Sequence, residues 1–305
     1  MLEKIKASMI NEVKSNKEFI QKKISNIDSP LRCYYWSGVP NFGDRLMPLI
    51  INHFFPKLEI QFVSLDNAEL IGVGSLLTFF DGWRFRHLLY DGKKNARIFW
   101  GSGMLNPEEN IKIPNSQIIS VRGKLSQELM KLDSEITLGD PGLLLSSVIP
   151  KGTTSSEILI IPHFQDYNNK KLEKFKRDNR FEIIDVRNKP EDIIKKISSA
   201  TLVLSSSLHG LIIADSYNVP NMLYNISGKT NFFKYDDYYS ATNRQKIVVD
   251  DSFNLLDESI LYNFTKCYHP IENLEQIKEN IVRSFPFTTM QDVVEWRKVN
   301  KRTRK

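Results

Sequence analysis

The run Thr201-Leu-Val-Leu-Ser205-Ser206-Ser207-Leu208-His209-Gly210-Leu-Ile-Ile-Ala-Asp215 concentrates more chemistry than any other stretch of this sequence. An apolar strand runs into three serines and then straight into an apolar helix. Serines at a helix start satisfy its free N–H groups and build a site for an anion. His209 falls in the first helical turn, where the helix dipole disfavours an imidazolium. A bound dianion reverses that preference. The serine run favours this reading over a merely capped helix with a histidine in its core.

Two further strand-to-helix turns share this character. Trp36-Ser-Gly38-Val-Pro-Asn41-Phe-Gly43-Asp44 follows the first strand and opens a helix. Its glycines permit close backbone approach, and Asp44 is either a helix cap or a base. Ser120-Val-Arg122-Gly123 ends a strand and sets Arg122 at a crevice rim. A guanidinium there suits bidentate capture of carboxylate or phosphate, or else forms a surface ion pair. Gly72-Val-Gly74 and Gly101-Ser-Gly103 lack the downstream pattern of a dinucleotide fingerprint. Asn231–Tyr239, with Tyr235, and Phe79–His87, with Trp83, mix aromatics and charges as sugar-stacking loops do, or as anchored core segments do. No Cys/His cluster has zinc spacing, so no metal is expected.

These turns need strands and helices to aim them. Strands are predicted at Leu31–Trp36, Ile60–Val63, Leu70–Val73, Arg97–Trp100, Ile118–Val121, Ile158–Ile161, Glu182–Val186, Thr201–Leu204 and Asn221–Tyr224. Helices are predicted at Asp44–Phe55 and Lys124–Lys131 and near 169–178, 190–199, 208–217, 271–283 and 289–299. An amphipathic helix is expected over 2–24, where apolar residues recur at three- and four-residue spacing among lysines. Residues 150–156, Pro-Lys-Gly-Thr-Thr-Ser-Ser, read as a linker. Strands alternating with helices imply parallel sheets covered on both faces. The expectation is therefore an α/β chain of two Rossmann-like domains, 1–150 and 151–305, facing a cleft, with C-terminal helices. Open parallel sheets bind ligands beyond the carboxyl ends of their strands.

The chain has 305 residues, 41% hydrophobic and 26% charged, an ordinary globular composition that excludes collagenous and disordered classes. Two cysteines give no disulfide framework and point to a reducing compartment. No apolar stretch reaches the ~20 residues of a membrane span, and the first residues lack a signal-peptide core. A cytoplasmic protein is expected. The formal net charge is +6. Residues 1–24 hold six lysines against three glutamates, and residues 297–305 hold six basic residues and no acid. The body between them is therefore at −3. A basic stripe on the fold, which nucleic-acid binding wants, is not implied. Basic ends suit contact with an anionic membrane surface at its inner face, or are simply solvated.

Taken in order, Asn41-Phe-Gly-Asp44, Ile71-Gly-Val-Gly-Ser75, Ser120-Val-Arg-Gly123, Gly139-Asp-Pro-Gly142 and Ser205-Ser-Ser-Leu-His-Gly210 resemble the polysaccharide pyruvyl transferase family. The resemblance implies a fold similar to the GT-B glycosyltransferases. It also implies transfer of the enolpyruvyl skeleton of phosphoenolpyruvate onto two sugar hydroxyls as a cyclic ketal. Phosphoenolpyruvate is then a donor substrate and no cofactor is needed. By that resemblance Arg122, His209 and Lys229 match the family's site residues. The chemistry of a small polyanion then has Arg122 and Lys229 bind the donor with His209, Ser205, Ser206 and Ser207, makes His209 the acid and gives Asp44 the role of hydroxyl base. The acceptor, a polysaccharide or lipid-linked sugar, falls to Asn41, Asp44, Trp83 and Tyr235. Many members carry arginine where this chain has Ser207, and Lys234 or Arg84 would supply the missing cation. Alternatives are a nucleotide-sugar glycosyltransferase of the same architecture and a non-catalytic glycan- or anion-binding module.

Overall fold

A computed structural model of the chain describes residues 27–80, 97–107, 111, 113, 115–153, 155 and 157–302. The expected helix at 2–24, the Trp83 and Arg84 segment, and residues 303–305 lie outside the described residues.

Two parallel sheets carry the fold. The first holds β1 (Leu31–Tyr34), β2 (Ile60–Phe62), β3 (Leu70–Gly72), β4 (Arg97–Ser102), β5 (Ser116–Val121) and β6 (Thr137–Leu138) in the order β2-β1-β3-β4-β5-β6. The second holds β7 (Ile158–Ile161), β8 (Phe181–Ile183), β9 (Leu202–Ser205), β10 (Asn221–Tyr224) and β11 (Val248–Val249) in the order β11-β10-β9-β7-β8. In each, the chain leaves its first strand one way and returns on the other side. That makes a switch point between β1 and β3, and another between β7 and β9. Loops leave a switch point in opposite directions, which opens a crevice at the carboxyl ends of those strands.

The helices are α1 (Leu46–Phe54), α2 (Lys124–Leu129), α3 (Leu145–Val148), α4 (Pro190–Ser199), α5 (Leu208–Ser216), α6 (Phe233–Thr242), α7 (Glu258–Cys267), α8 (Leu274–Ser284) and α9 (Met290–Arg302). Proline at its first position and the Ile193, Ile194, Ile197 stripe explain α4. All nine residues of α5 are buried, consistent with its apolar run. The helix expected near 169–178 is instead two 3-10 turns, Lys170–Leu172 and Phe175–Arg177. Its buried residues, Leu172 and Phe175, sit three apart among lysines, which suits the 3-10 period and gives an α-helix no stripe to bury. Asn231–Tyr239, read as a loop, mostly forms α6, with Tyr235, Asp237, Tyr238 and Tyr239 buried.

The linker at 150–156 falls between the two sheets, yet one hydrophobic cluster draws on both, from Leu31, Met47 and Trp100 to Leu159, Ile161 and Ile212. The Phe42 N–H donates to the Val186 carbonyl at 2.8 Å, joining the halves directly. After residue 274 the chain returns to the first sheet. Trp100 Nε1 donates to the Ile281 carbonyl at 3.1 Å, and the Phe285 ring stacks 4.3 Å from that of Phe55. Arg297, counted above among the solvated basic ends, is buried. It grips both oxygens of Glu69 at 2.8 and 2.6 Å and three carbonyls of residues 27–30.

Candidate active site

Loops from both switch points line one cavity of about 690 Å³, within the ~300–1,000 Å³ usual for small-molecule sites. After β1 come Trp36, Asn41 and Asp44; after β3, Ser75 and Leu76; after β7, His163 and Asp166; after β9, Ser206, Ser207 and His209; after β10, Lys229, Lys234 and Tyr235.

Asp44 sits in a 3-10 turn, Phe42–Arg45, whose N-cap Asn41 accepts from the Gly43 N–H at 3.2 Å. Asn41 caps this turn and lines the cavity together with Asp44, and its side chain also hydrogen-bonds the Asp44 carboxylate. Room for it comes from the β3 turn. Gly74 takes φ +105°, and a Cβ there would lie 2.9 Å from Asp44 Oδ1. Val73, β-branched, is held at φ +32° in the same turn, a strain found mainly where function demands a shape. Burial pushes the Asp44 carboxyl up to about 7, opposed chiefly by the Lys234 ammonium.

The serines divide their work. Ser205 does not line the cavity; its hydroxyl lies 2.9 Å from the Ile161 carbonyl and accepts from the Ser207 N–H at 3.0 Å. The Ser206 hydroxyl donates to Asp166 Oδ2 at 2.7 Å and accepts from the His163 N–H at 2.9 Å. No side chain caps α5. Its first turn, with Ser206, Ser207, Leu208 and His209 on the cavity wall, directs the positive end of the helix dipole at whatever binds there. The serines therefore latch the turn to β7 and leave the helix end open, rather than capping it as expected.

His209 rests against Gly43, where an added Cβ would come 2.0 Å from Nδ1. Burial, reinforced by Arg122 and Lys234, pushes its imidazole down to about 3, so the ring is neutral without a bound anion. His163, a cavity residue that sequence reading missed, is likewise pushed down to about 3 by burial and then by Lys234.

Arg122, expected at the rim, is fully buried behind the cavity wall. Nε donates to Asp237 Oδ2 at 3.0 Å, Nη1 to Ser75 Oγ at 2.8 Å, and Nη2 to the Met104 carbonyl at 2.6 Å. Gly103 makes the space, since a Cβ there would lie 2.4 Å from the guanidinium carbon. The guanidinium ties α6 to the β3 and β4 loops, and its charge is felt in the cavity only through space. Lys229 is exposed at the cavity edge. Lys234, on α6, is the more enclosed ammonium. Burial and then Arg122 bring it down to about 8, while Asp44 and Asp166 oppose the shift. Tyr235 lines the cavity with its hydroxyl fixed on the Ser206 carbonyl at 2.8 Å. Sequence reading gave Asp166 no role either; its position three residues after His163, past the end of a buried strand, was the available signal.

Asp44→Asn is expected to raise the melting temperature by a few degrees at pH 8. The wild-type carboxyl ionises at about 7 when folded and near its ordinary 3.8 when unfolded. Its burial therefore costs stability increasingly as pH rises through that window. The advantage of the variant should vanish near pH 4 in calorimetric scans.

Two parallel sheets with helices, and a crevice at the switch points of both, define the structural class, α/β. The chain belongs to the polysaccharide pyruvyl transferase family, whose sequence profile matches residues 22–228. It is 27% identical over 220 residues, 68% of this chain and 64% of the relative, to the succinoglycan biosynthesis protein ExoV of Rhizobium meliloti (strain 1021). It is 37% identical over 138 residues, 42% of this chain and 47% of the relative, to the uncharacterized protein L143 of Acanthamoeba polyphaga mimivirus. The chain thus spans about half to two thirds of the length of these curated relatives. The profile stops just before Lys229, so the two cavity lysines and α6 lie beyond it.

Proposed function

We propose that this protein transfers the enolpyruvyl skeleton of phosphoenolpyruvate onto two hydroxyls of a polysaccharide or lipid-linked sugar, forming a cyclic ketal. The observation that carries the reading is one cavity collecting two ammoniums, an open helix N-terminus, two imidazoles and two carboxylates. Phosphoenolpyruvate is a small polyanion, and Lys234, Lys229 and the α5 start supply the complementary charge. Once the anion is bound, imidazolium becomes the favoured form of His209. His209 then gives its proton to the methylene carbon, C2 becomes electrophilic, and a sugar hydroxyl adds there. The C2–O bond to phosphate breaks, and the second hydroxyl closes the ketal. Of the two hydroxyl protons, one restores His209 and the other leaves with phosphate, with Asp44 as the base. The cavity has room for a sugar beside the donor, with Asn41, Asp44 and Tyr235 on the acceptor side. We read the two sheets as the GT-B-like pair of domains and take the reaction to be cytoplasmic, where phosphoenolpyruvate is made. No helix among the described residues is long and apolar enough to cross a membrane; a lipid-linked acceptor would be met at the inner membrane face.

The direct test incubates the protein with phosphoenolpyruvate and a panel of glycosides, following phosphate release and the product's mass. Phosphate release that ignores every acceptor, or thermal stabilisation by uridine diphosphate but not by phosphoenolpyruvate, would overturn the reading. Lys234→Gln should raise the KM for phosphoenolpyruvate roughly 10- to 100-fold, the worth of a hydrogen bond to a charged group. Lys229→Gln should cost several-fold less, because solvent screens an exposed ammonium. Initial rates at varied donor concentration separate the two.

A further inference from the structure

Asp140 and His209 meet where the two halves of the chain join. Asp140 follows β6 and caps the 3-10 turn Pro141–Leu144, its Oδ1 accepting from the Gly142 N–H at 2.8 Å. Its other oxygen, Oδ2, is fully buried and lies 3.9 Å from His209 Nε2. Neither atom has a hydrogen-bond partner among the described residues. A buried polar atom left unpaired costs about 1–3 kcal/mol. Two of them face to face are a cost that packing alone does not explain, and such orphans call for a functional account. Both partners are held in place. The His209 ring rests on Gly43, and a Cβ at Gly142 would come 3.0 Å from Ile212 of α5.

We propose that Asp140 is a positioning residue for His209. Its Oδ2 holds the ring in the tautomer protonated at Nε2, leaving Nδ1 to exchange a proton with substrate, and its negative charge stabilises the imidazolium once an anion is bound. This rests on reading His209 as the acid of pyruvyl transfer. The Nδ1–H bond breaks as a C–H bond forms at the methylene carbon, and an acceptor hydroxyl later returns the proton to Nδ1. The other charges around the pair do not replace Asp140. Arg122 and Lys234 both oppose a charged ring. Arg122 steadies the Asp140 carboxylate while Asp237 opposes it, and Asp44 feels the same carboxylate from the cavity side. Burial raises the Asp140 carboxyl to about 6, so at neutral pH it is mostly ionised and able to serve.

The test uses full-length protein with nitrogen-15-labelled histidine and inorganic phosphate as the bound anion. The His209 resonance is the one missing from His209→Gln. In wild type the neutral ring should be the Nε2–H tautomer; an Nδ1–H tautomer overturns the proposal without any variant at Asp140. Asp140→Asn keeps an acceptor for Gly142 and removes the charge. It should lower the ring's titration midpoint by about one pH unit, a tenfold loss of proton affinity. It should also reduce kcat roughly tenfold at pH 7.5 with the donor KM little changed, the deficit shrinking as pH falls. An unchanged titration in the folded variant, or a kcat loss equal at every pH, overturns the proposal. If tautomer and titration behave as stated while wild type transfers no pyruvyl group, the pair stands and the transfer reading falls.

Discussion

His209→Gln protein should fold, bind phosphoenolpyruvate, and turn it over about 10²- to 10⁴-fold more slowly than wild type. That range is the usual worth of a positioned general acid. Glutamine roughly keeps the volume that packs on Gly43 and offers an amide in place of the ring, but it cannot deliver a proton. Donor binding should survive because Lys234, Lys229 and the α5 terminus are untouched. Calorimetry should therefore return a dissociation constant within a few-fold of wild type while single-turnover phosphate release collapses. Stability should move the other way in acid. The folded ring takes a proton only near pH 3, whereas in the unfolded chain it does so near the ordinary 6.5 of an imidazole. Wild type therefore loses stability as pH falls through that window. The variant drops this contribution and should melt higher than wild type near pH 4.5, with His163 still exerting the same effect in both. A folded variant with normal turnover would remove His209 from the chemistry. A variant that cannot bind the donor would make the imidazole a binding group instead.

How much of this was legible in the residues depends on whether the stabilising partner was near in sequence. The alternation of β1 to β5 and of β7 to β10 was readable because β-branched and apolar runs end in Gly, Ser and Asp turns, whereas the two-residue strands β6 and β11 were too short to show a pattern. Helix α4 declared itself through Pro190 and its isoleucines. The Ser205–Gly210 junction was readable for the same reason: strand, turn and helix are contiguous. Helix α6 was not. Its buried residues are three tyrosines, an aspartate and a threonine, with no apolar stripe, and what holds them is tertiary. Asp237 is met by Arg122, 115 positions away, and Tyr238 donates to Asp215 Oδ2 at 2.8 Å. The same distance in sequence hid the fate of Arg122. A guanidinium after a strand reads as a rim residue until the carboxylate that buries it is known. The choice between Lys229 and Lys234 turned on where α6 begins, which the aromatic-rich segment concealed. Asp140 stood in plain view within Gly139-Asp-Pro-Gly142, but its second oxygen acquires meaning only when the turn after β6 is packed against α5.

Arg122→Ala should be the most damaging substitution to the fold, and how it damages distinguishes a structural arginine from a donor-binding one. Removing the guanidinium leaves Asp237 with its Ser126 partners, the N–H and Oγ each at 2.7 Å, but no countercharge in a fully buried position. Stripping one member from a buried ion pair typically costs about 3–5 kcal/mol. For a chain of this size that is a fall in melting temperature on the order of 10 °C. Arg122→Lys should recover little, since one ammonium cannot reach Asp237, Ser75 and Met104 together. Asp237→Asn should resemble it, although Asp237 does not line the cavity. Both variants release α6 from the β3 and β4 loops, so Lys234 and the Ser75 turn shift together. The kinetic signature should be a fall in kcat and a rise in donor KM that track the melting temperature across the set. An arginine that gripped the donor itself would behave otherwise. Arg122→Lys would then raise KM steeply while melting like wild type, and Asp237→Asn would leave KM alone. The double variant Arg122→Met/Asp237→Leu sharpens the contrast. With both charges gone no unpaired buried charge remains, although the Ser126 N–H and the Met104 carbonyl each lose a partner, so it should be less destabilised than the sum of the two single losses, recovering thermal stability ahead of activity.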